Sequence, residues 1–232
     1  MSKSYLKVMV LASATLAASV ATAATVGPFV EASVGKGVIA TPDKYAFTDD
    51  NGIAGQFTTK RSQDYLAGRV AAGYNFMKYM GVEMAYMRPG QSIYQATNGI
   101  AKAKLTYNDN VVQALVDGYL PVGQRFDFFG KVGVAYISQT VSYHNDDSFV
   151  LPVNTAAFNA GLKSGTFHRI APVLAIGGGW NITQSLMLDA SANVTVGNVD
   201  FKKKATAVAN TSYLGLGVRY TFPMSKAADA NA

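Results

Sequence analysis

The sequence predicts an all-β fold, an eight-stranded antiparallel up-and-down transmembrane β-barrel. Three observations carry that expectation: alternating runs whose apolar face looks outward, connections of alternating length, and no internal apolar stretch long enough for a membrane helix. The alternation is clearest at the last run. Leu214, Leu216, Val218, Tyr220 and Phe222 interleave with Tyr213, Gly215, Gly217, Arg219 and Thr221. A period of two sends these sets to opposite faces of a strand. The apolar face ends in two aromatics, while the other carries glycines and an arginine. A water-soluble barrel would put its greasy face inside, so lipid is expected outside.

Eight runs of this kind are long enough to cross a bilayer, which takes about 9 to 11 tilted residues per strand. They are Gly27 to Lys36, Gln63 to Phe76, Met80 to Arg88, Lys102 to Leu120, Phe126 to Val141, Thr166 to Trp180, Leu186 to Val196 and Ala207 to Phe222. An even number brings both ends of the barrel to one side. Met77 to Tyr79, Pro121 to Arg125 and Asn181 to Ser185 read as short turns. Gly37 to Ser62 and Ser142 to Gly165 are long, polar and turn-rich, and Pro89 to Ala101 and Gly197 to Thr206 are intermediate. Short turns at one end and long loops at the other match periplasmic and extracellular sides.

The chain ends fit export. Lys3 and Lys7 precede the apolar, small-residue stretch Val8 to Val20, and Ala21-Thr22-Ala23 precedes Ala24. This pattern is expected to be a cleaved signal peptide over residues 1–23, leaving a barrel over 24–222 and a short periplasmic tail over 223–232. The formal charge of the whole chain is +6, and part of it leaves with Lys3 and Lys7, so nucleic acid is not an expected partner. With 13 tyrosines, 12 phenylalanines and only 15% charged residues, the composition excludes a disordered chain. The absence of cysteine removes disulfides, thiolate metal sites, thiol nucleophiles and lipid attachment through cysteine.

Gly73-Tyr74, Gly118-Tyr119 and Gly179-Trp180 each precede a short turn. Together with Phe76, Tyr79 and Phe222 they are expected to form the periplasmic aromatic girdle. The apolar parity assigns outward positions to Val30, Ala32 and Val34, to Leu66, Val70 and Ala72, and to Val82, Met84 and Tyr86. It continues through Val112, Ala114 and Val116, Val132, Val134 and Tyr136, Leu174 and Ile176, and Leu188, Ala190 and Val194. The opposite parity collects Glu31, Arg69, Glu83, Asp117, Lys131, Arg169, Asp189 and Arg219. Eight strands enclose a space just wide enough for side chains to fill. A lone charge there is costly, so four acids facing four bases point to a lumen plugged by ion pairs. Glu31, Arg69, Glu83, Lys131 and Arg219 lie on the cleanest strands. A pore lined by one dominant sign is the alternative. A secreted lipocalin-like carrier is a third reading, and it needs an apolar interior that this parity denies.

Three segments carry a family resemblance: Gly73-Tyr74-Asn75-Phe76 with Gly81-Val82-Glu83-Met84-Ala85-Tyr86, the stretch from Gly118 to Tyr136, and the ending Leu214 to Phe222. They resemble the OmpA-like eight-stranded outer-membrane β-barrels over nearly all of the chain after residue 23. The resemblance implies a Gram-negative outer-membrane location, contact with lipid and lipopolysaccharide, and insertion by the barrel-assembly machinery. It implies roles in envelope integrity, surface interaction or slow solute leakage. Gly217, Tyr220 and Phe222 are similar to the family's assembly signal, Gly-x-x-aromatic-x-aromatic, here followed by a tail too short for the peptidoglycan-binding domain of longer relatives.

Catalysis and cofactors are not expected. His144 in the third long loop and His168 near the top of the sixth run lack a shaped partner set. Asp146 and Asp147 lack the spaced oxygens of a calcium loop. Gly177-Gly178-Gly179 precedes a hairpin turn instead of a helix, which empties it as a nucleotide loop. Lys202, Lys203 and Lys204 offer a surface anion contact, for lipopolysaccharide phosphates or an acidic host polymer. The expected role is therefore structural or surface-interacting, with adhesion through the long loops to a host surface ligand as one form of it.

Overall fold

The computed structural model describes residues 25–40, 58–97, 102–123, 125–145, 164–196 and 208–222. Ten strands run in chain order: β1 (Gly27–Ala40), β2 (Thr58–Asp64), β3 (Leu66–Met77), β4 (Met80–Arg88), β5 (Gln91–Thr97), β6 (Lys102–Val122), β7 (Phe126–Asn145), β8 (Gly165–Asn181), β9 (Leu186–Thr195) and β10 (Asn210–Thr221). β2 continues into β3, and β4 into β5, so the ten strands make eight staves. Every pairing is antiparallel, and β6–β7 together with β10–β1 close the ring. Closure answers a hard constraint: in hydrocarbon each backbone N–H and C=O must find a partner within the protein.

The breaks between β2 and β3 and between β4 and β5 are bulges. The β4–β6 ladder ends at Met87↔Val111 and the β5–β6 ladder resumes at Gln91↔Asn108, so three residues oppose two. On the other side Tyr65, Leu66 and Ala67 oppose Pro89 and Gly90. Pro89 has no N–H to give a ladder, which suits it to a bulge. Gly90 adopts φ 86°, a left-handed conformation costly for other residues. The extra residue moves the inward parity from odd numbers through Met87 to even numbers at Ser92 and Tyr94. That is why Pro89 to Ala101 reads as a loop in sequence, whereas Gln91 to Thr97 is a strand.

The outside is apolar as the alternation predicts. Leu66 is 70% exposed, Ile170 71% and Leu216 69%, values at which burial in a protein core is excluded. On β6 the outward belt runs from Leu120 to Val112, and above it the outward residues are Asn110, Asn108 and Thr106. β6 and β7 have 21 and 20 residues, about twice what a tilted crossing needs. Their upper halves therefore stand beyond the belt on the side of the long connections.

β1 and β10, the first and last strands, are in register from Phe29↔Thr221 to Ala40↔Asn210. The strands run so close at Gly35 that a Cβ there would lie 2.1 Å from the Leu214 carbonyl oxygen and 2.4 Å from the Gly215 Cα. Backbone cannot yield as a side-chain tip can. Gly35→Val is expected to lose most of the compact, heat-modifiable form on a cold gel, and a wild-type folded band would contradict this seam.

Candidate functional site

The staves place an ionic cluster on the lumen side of β1, β3, β4, β7 and β10. Glu31 and Arg219 are direct register partners across the closing seam. Arg219 donates through Nε to Glu31 Oε2 at 3.0 Å and through Nη2 to the same oxygen at 2.5 Å. Nη2 also lies 3.4 Å from Glu83 Oε2. Arg69 donates through Nη1 to Glu31 Oε1 at 2.5 Å and through Nη2 to Glu83 Oε1. Lys131 Nζ donates to Glu83 Oε2 at 2.7 Å and stands 3.6 Å from Glu31 Oε2. Each glutamate thus meets all three cations, and all five side chains are buried.

Charge-assisted bonds shared among several partners are what makes such burial tolerable, because an isolated ion here would lose its hydration without return. Aromatic rings complete the surroundings. The Arg219 guanidinium lies 4.2 Å from the centre of Phe29, within cation–π range. Its Nη1 donates to the Tyr119 hydroxyl, which in turn donates to Asp117 Oδ2 at 3.0 Å. Tyr119 is therefore a lumen residue, not part of the aromatic girdle that the Gly118-Tyr119 repeat suggested. Its odd number shares the inward parity of Leu115 and Asp117. Tyr74, Phe76, Tyr79, Trp180 and Phe222 do face outward at the end bearing the short turns.

The sequence-derived set of eight divides. Glu31, Arg69, Glu83, Lys131 and Arg219 are brought together, and Asp117 joins them through Tyr119. Asp189 is buried beside Gly217, where an added Cβ would approach its Oδ2 to 2.7 Å, but neither carboxylate oxygen has a hydrogen-bond partner among the described residues. Arg169 departs from the expectation: it is exposed. β9 ends at Thr195 opposite Val173, so no described residue of β9 lies beside Arg169 on that side.

Two further buried acids escaped the sequence reading. Asp127 accepts from Asn181 Nδ2 at 2.6 Å, and Asp109 accepts from Gln139 Nε2 at 2.9 Å. Both have the inward parity, which was the available signal. With Arg169 outside, six buried acids face three buried bases among the described residues. The balance of four against four does not hold.

Above the ionic layer, Gln113 and Asn193 exchange amide hydrogen bonds at 3.3 and 3.2 Å. Higher still the interior is mainly apolar, with Met87, Val111, Ile137, Val173 and Tyr213 in one cluster and Tyr94, Leu105, Tyr107 and Val141 in another beyond the belt, and the Asp109–Gln139 pair lies between the two. The lumen expected to be plugged by ion pairs is thus stratified, with ion pairs in its lower part and mainly apolar packing above. Small and apolar inward residues such as Ala67, Ala135 and Ala171 were indistinguishable from outward ones by type alone.

Gly217, Tyr220 and Phe222 lie at the end of β10, with the Tyr220 and Phe222 rings edge to face at 4.9 Å. His168 stacks on Tyr136 on the outer wall at 5.5 Å, and no group of three or more His, Asp or Glu residues suited to a metal occurs among the described residues. Residues 1–23, Lys202, Lys203, Lys204, Asp146, Asp147 and 223–232 lie outside the described residues.

Replacing Arg219 by Met keeps the length of the side chain and removes the charge, leaving Glu31 and Tyr119 without their shared donor. A loss of about 3 to 5 kcal/mol is expected in urea unfolding of the refolded protein. The double change Arg219→Met with Glu31→Gln is expected to cost less than the sum of the two single changes, because the stranded charge is gone.

The family model described as the OmpA-like transmembrane domain matches residues 40–226. A Coxiella burnetii protein (strain RSA 493 / Nine Mile phase I), described only as uncharacterized, is 26% identical over 178 residues, 71% of each chain. Among solved structures, Neisserial surface protein A is 15% identical, with 84% of this chain and 97% of that one covered and a TM-score of 0.44. The N-terminal barrel domain of Pseudomonas aeruginosa OprF is 11% identical, with 85% and 99% covered and a TM-score of 0.46. Ail, the attachment invasion locus protein of Yersinia pestis, is 14% identical, with 84% and 99% covered and a TM-score of 0.40. The match across residues 40–226, on a closed eight-stave ladder with an apolar belt, means that the chain belongs to the OmpA-like transmembrane domain family of outer-membrane β-barrels.

Proposed function

We propose that this protein is a closed, non-conducting outer-membrane barrel that serves envelope integrity and presents its long connections at the cell surface. The observation that carries the reading is the stratified interior, in which the ion cluster, the amide pair and the apolar layer succeed one another. A plug of this kind has no standing water column, so its contribution is mechanical and presentational rather than transport. The C-terminal Gly217, Tyr220 and Phe222 supply the signal for the barrel-assembly machinery, and outer-membrane lipid and lipopolysaccharide are the surrounding partners. Adhesion to a host surface ligand through the long connections within Gly37 to Ser62 and Ser142 to Gly165 is the finer form of this proposal, and Lys202, Lys203 and Lys204 would add an anion contact.

A second reading rests on the charge imbalance. If the plug opens transiently, six acids against three bases favour cations in transit. Purified, refolded protein in a planar bilayer is expected to stay closed for most of the record. Steady open conductance would overturn the plug. Rare openings are expected to prefer cations, and Asp189→Asn is expected to weaken that preference. Deleting 41–57 and 146–163 together is expected to lower adhesion of producing cells to host surfaces, and unchanged adhesion would remove the adhesin reading.

A further inference from the structure

The outer wall at β1, β3 and β4 carries a groove of about 540 Å3 that the lumen network does not explain. Its floor is Gly68, where an added Cβ would meet no atom within 4 Å. Gly68 is the register partner of Val34 on one side and of Arg88 on the other. Leu66 and Val70 flank it along β3, and Tyr86 closes the lower side. Apolar walls of this kind accept an acyl chain.

Height fixes which leaflet the groove meets. The Tyr86 hydroxyl bonds Asn110 Oδ1 at 2.7 Å, where the outward face of β6 turns from apolar to polar. Arg88 is the next outward residue above Tyr86. Lys36, the register partner of Leu66, stands one row higher with Nζ 4.2 Å from the centre of the Tyr65 ring. Arg88 and Lys36 are both exposed, and neither is paired with a carboxylate among the described residues. Asp64 lines the upper rim, and its Oδ1 accepts the Leu66 N–H at 3.1 Å. Elsewhere at the upper edge of the belt, outward positions hold Tyr136, His168, Ile170, Val194 and Leu214. Among the described outward positions the two cations therefore mark one sector instead of a ring, with the exposed Arg169 of inward parity standing apart on β8.

We propose that this groove is a binding site for a phosphorylated, multiply acylated glycolipid of the outer leaflet, the lipid A part of lipopolysaccharide. One acyl chain lies in the notch over Gly68, and the sugar phosphates face Arg88 and Lys36. Two strand spacings and a two-residue offset separate the Cα atoms of the two cations by roughly 12 Å, a span suited to a headgroup with two phosphates and wider than a single phosphodiester needs. Arg88 supplies a planar donor fork and Lys36 a mobile point charge, both effective on phosphate. The proposal rests on the reading that the end with the long connections faces outside the cell.

The test uses the full chain refolded in zwitterionic micelles, with retention of lipid read by native mass spectrometry. The probes are bisphosphorylated lipid A, the same lipid A with both phosphates removed, and phosphatidylglycerol. Wild-type protein is expected to retain the first over the other two. The double variant Lys36→Gln with Arg88→Gln is expected to lower that retention about tenfold, as loss of two charge-assisted phosphate contacts should. Gly68→Leu is expected to lower it with both cations still in place, while Lys104→Gln, far above the belt, leaves it unchanged. Both cations are exposed, so the double variant should keep its heat-modifiable band. Equal retention by the double variant, or equal retention of phosphatidylglycerol, would overturn the site. Density fractionation separates this from the wider reading: wild type in the outer membrane with an insensitive double variant removes the site alone, and wild type absent from that membrane removes both.

Discussion

The Glu31–Arg219 pair is the interaction on which the rest of the interior depends. The two residues stand 188 positions apart and face each other in the ladder that joins the first strand to the last. A barrel in lipid must close, because an open edge would leave unpaired backbone groups in hydrocarbon. Closure brings Glu31 and Arg219 together, and once they are buried neither can be left alone. Arg69, Glu83 and Lys131 then follow as the partners that share the two carboxylates. Tyr119 and Phe29 fill the space around the guanidinium that water would otherwise occupy.

Around that pair the cluster shares its charges. Glu31 and Glu83 each contact Arg69, Lys131 and Arg219, so the desolvation cost of five ions is spread over six close approaches. A shared network of this kind tolerates small movements of any one side chain better than isolated pairs would, since each charge keeps a partner. It also ties five of the eight staves to one point. The apolar layer above it works differently, through packing without direction, and the β6–β7 extension carries that packing past the membrane. The interior is thus pinned by directed bonds near the short turns and filled by contact area toward the long connections.

The same division appears on the outside. Around most of the belt the wall, its other grooves included, is apolar surface that any acyl chain can meet. At Gly68 the wall lacks a side chain, and Arg88 and Lys36 sit at its upper edge. A lipid-facing surface becomes selective only where shape and charge coincide, because apolar contact by itself does not distinguish one acyl chain from another.

Alternation by itself determined the staves, their outward faces and the five residues of the ion cluster, since a period of two is a local property that survives in any context. It also placed the short turns, whose length leaves a chain no choice but to reverse. Three things needed the tertiary structure. The bulge at Pro89-Gly90 shifts the parity of its stave by one residue, which hid β5 inside an apparent loop. Arg169 has the inward parity of a lumen charge but is exposed, and its surroundings rather than its parity decide that. The largely apolar upper interior depends on which side chains meet across the barrel, whereas Tyr119 had the inward parity of Asp117 in the sequence itself. Strand parity says which face a residue takes, whereas the height of its neighbours and the identity of the opposite wall are decided only when the ring closes.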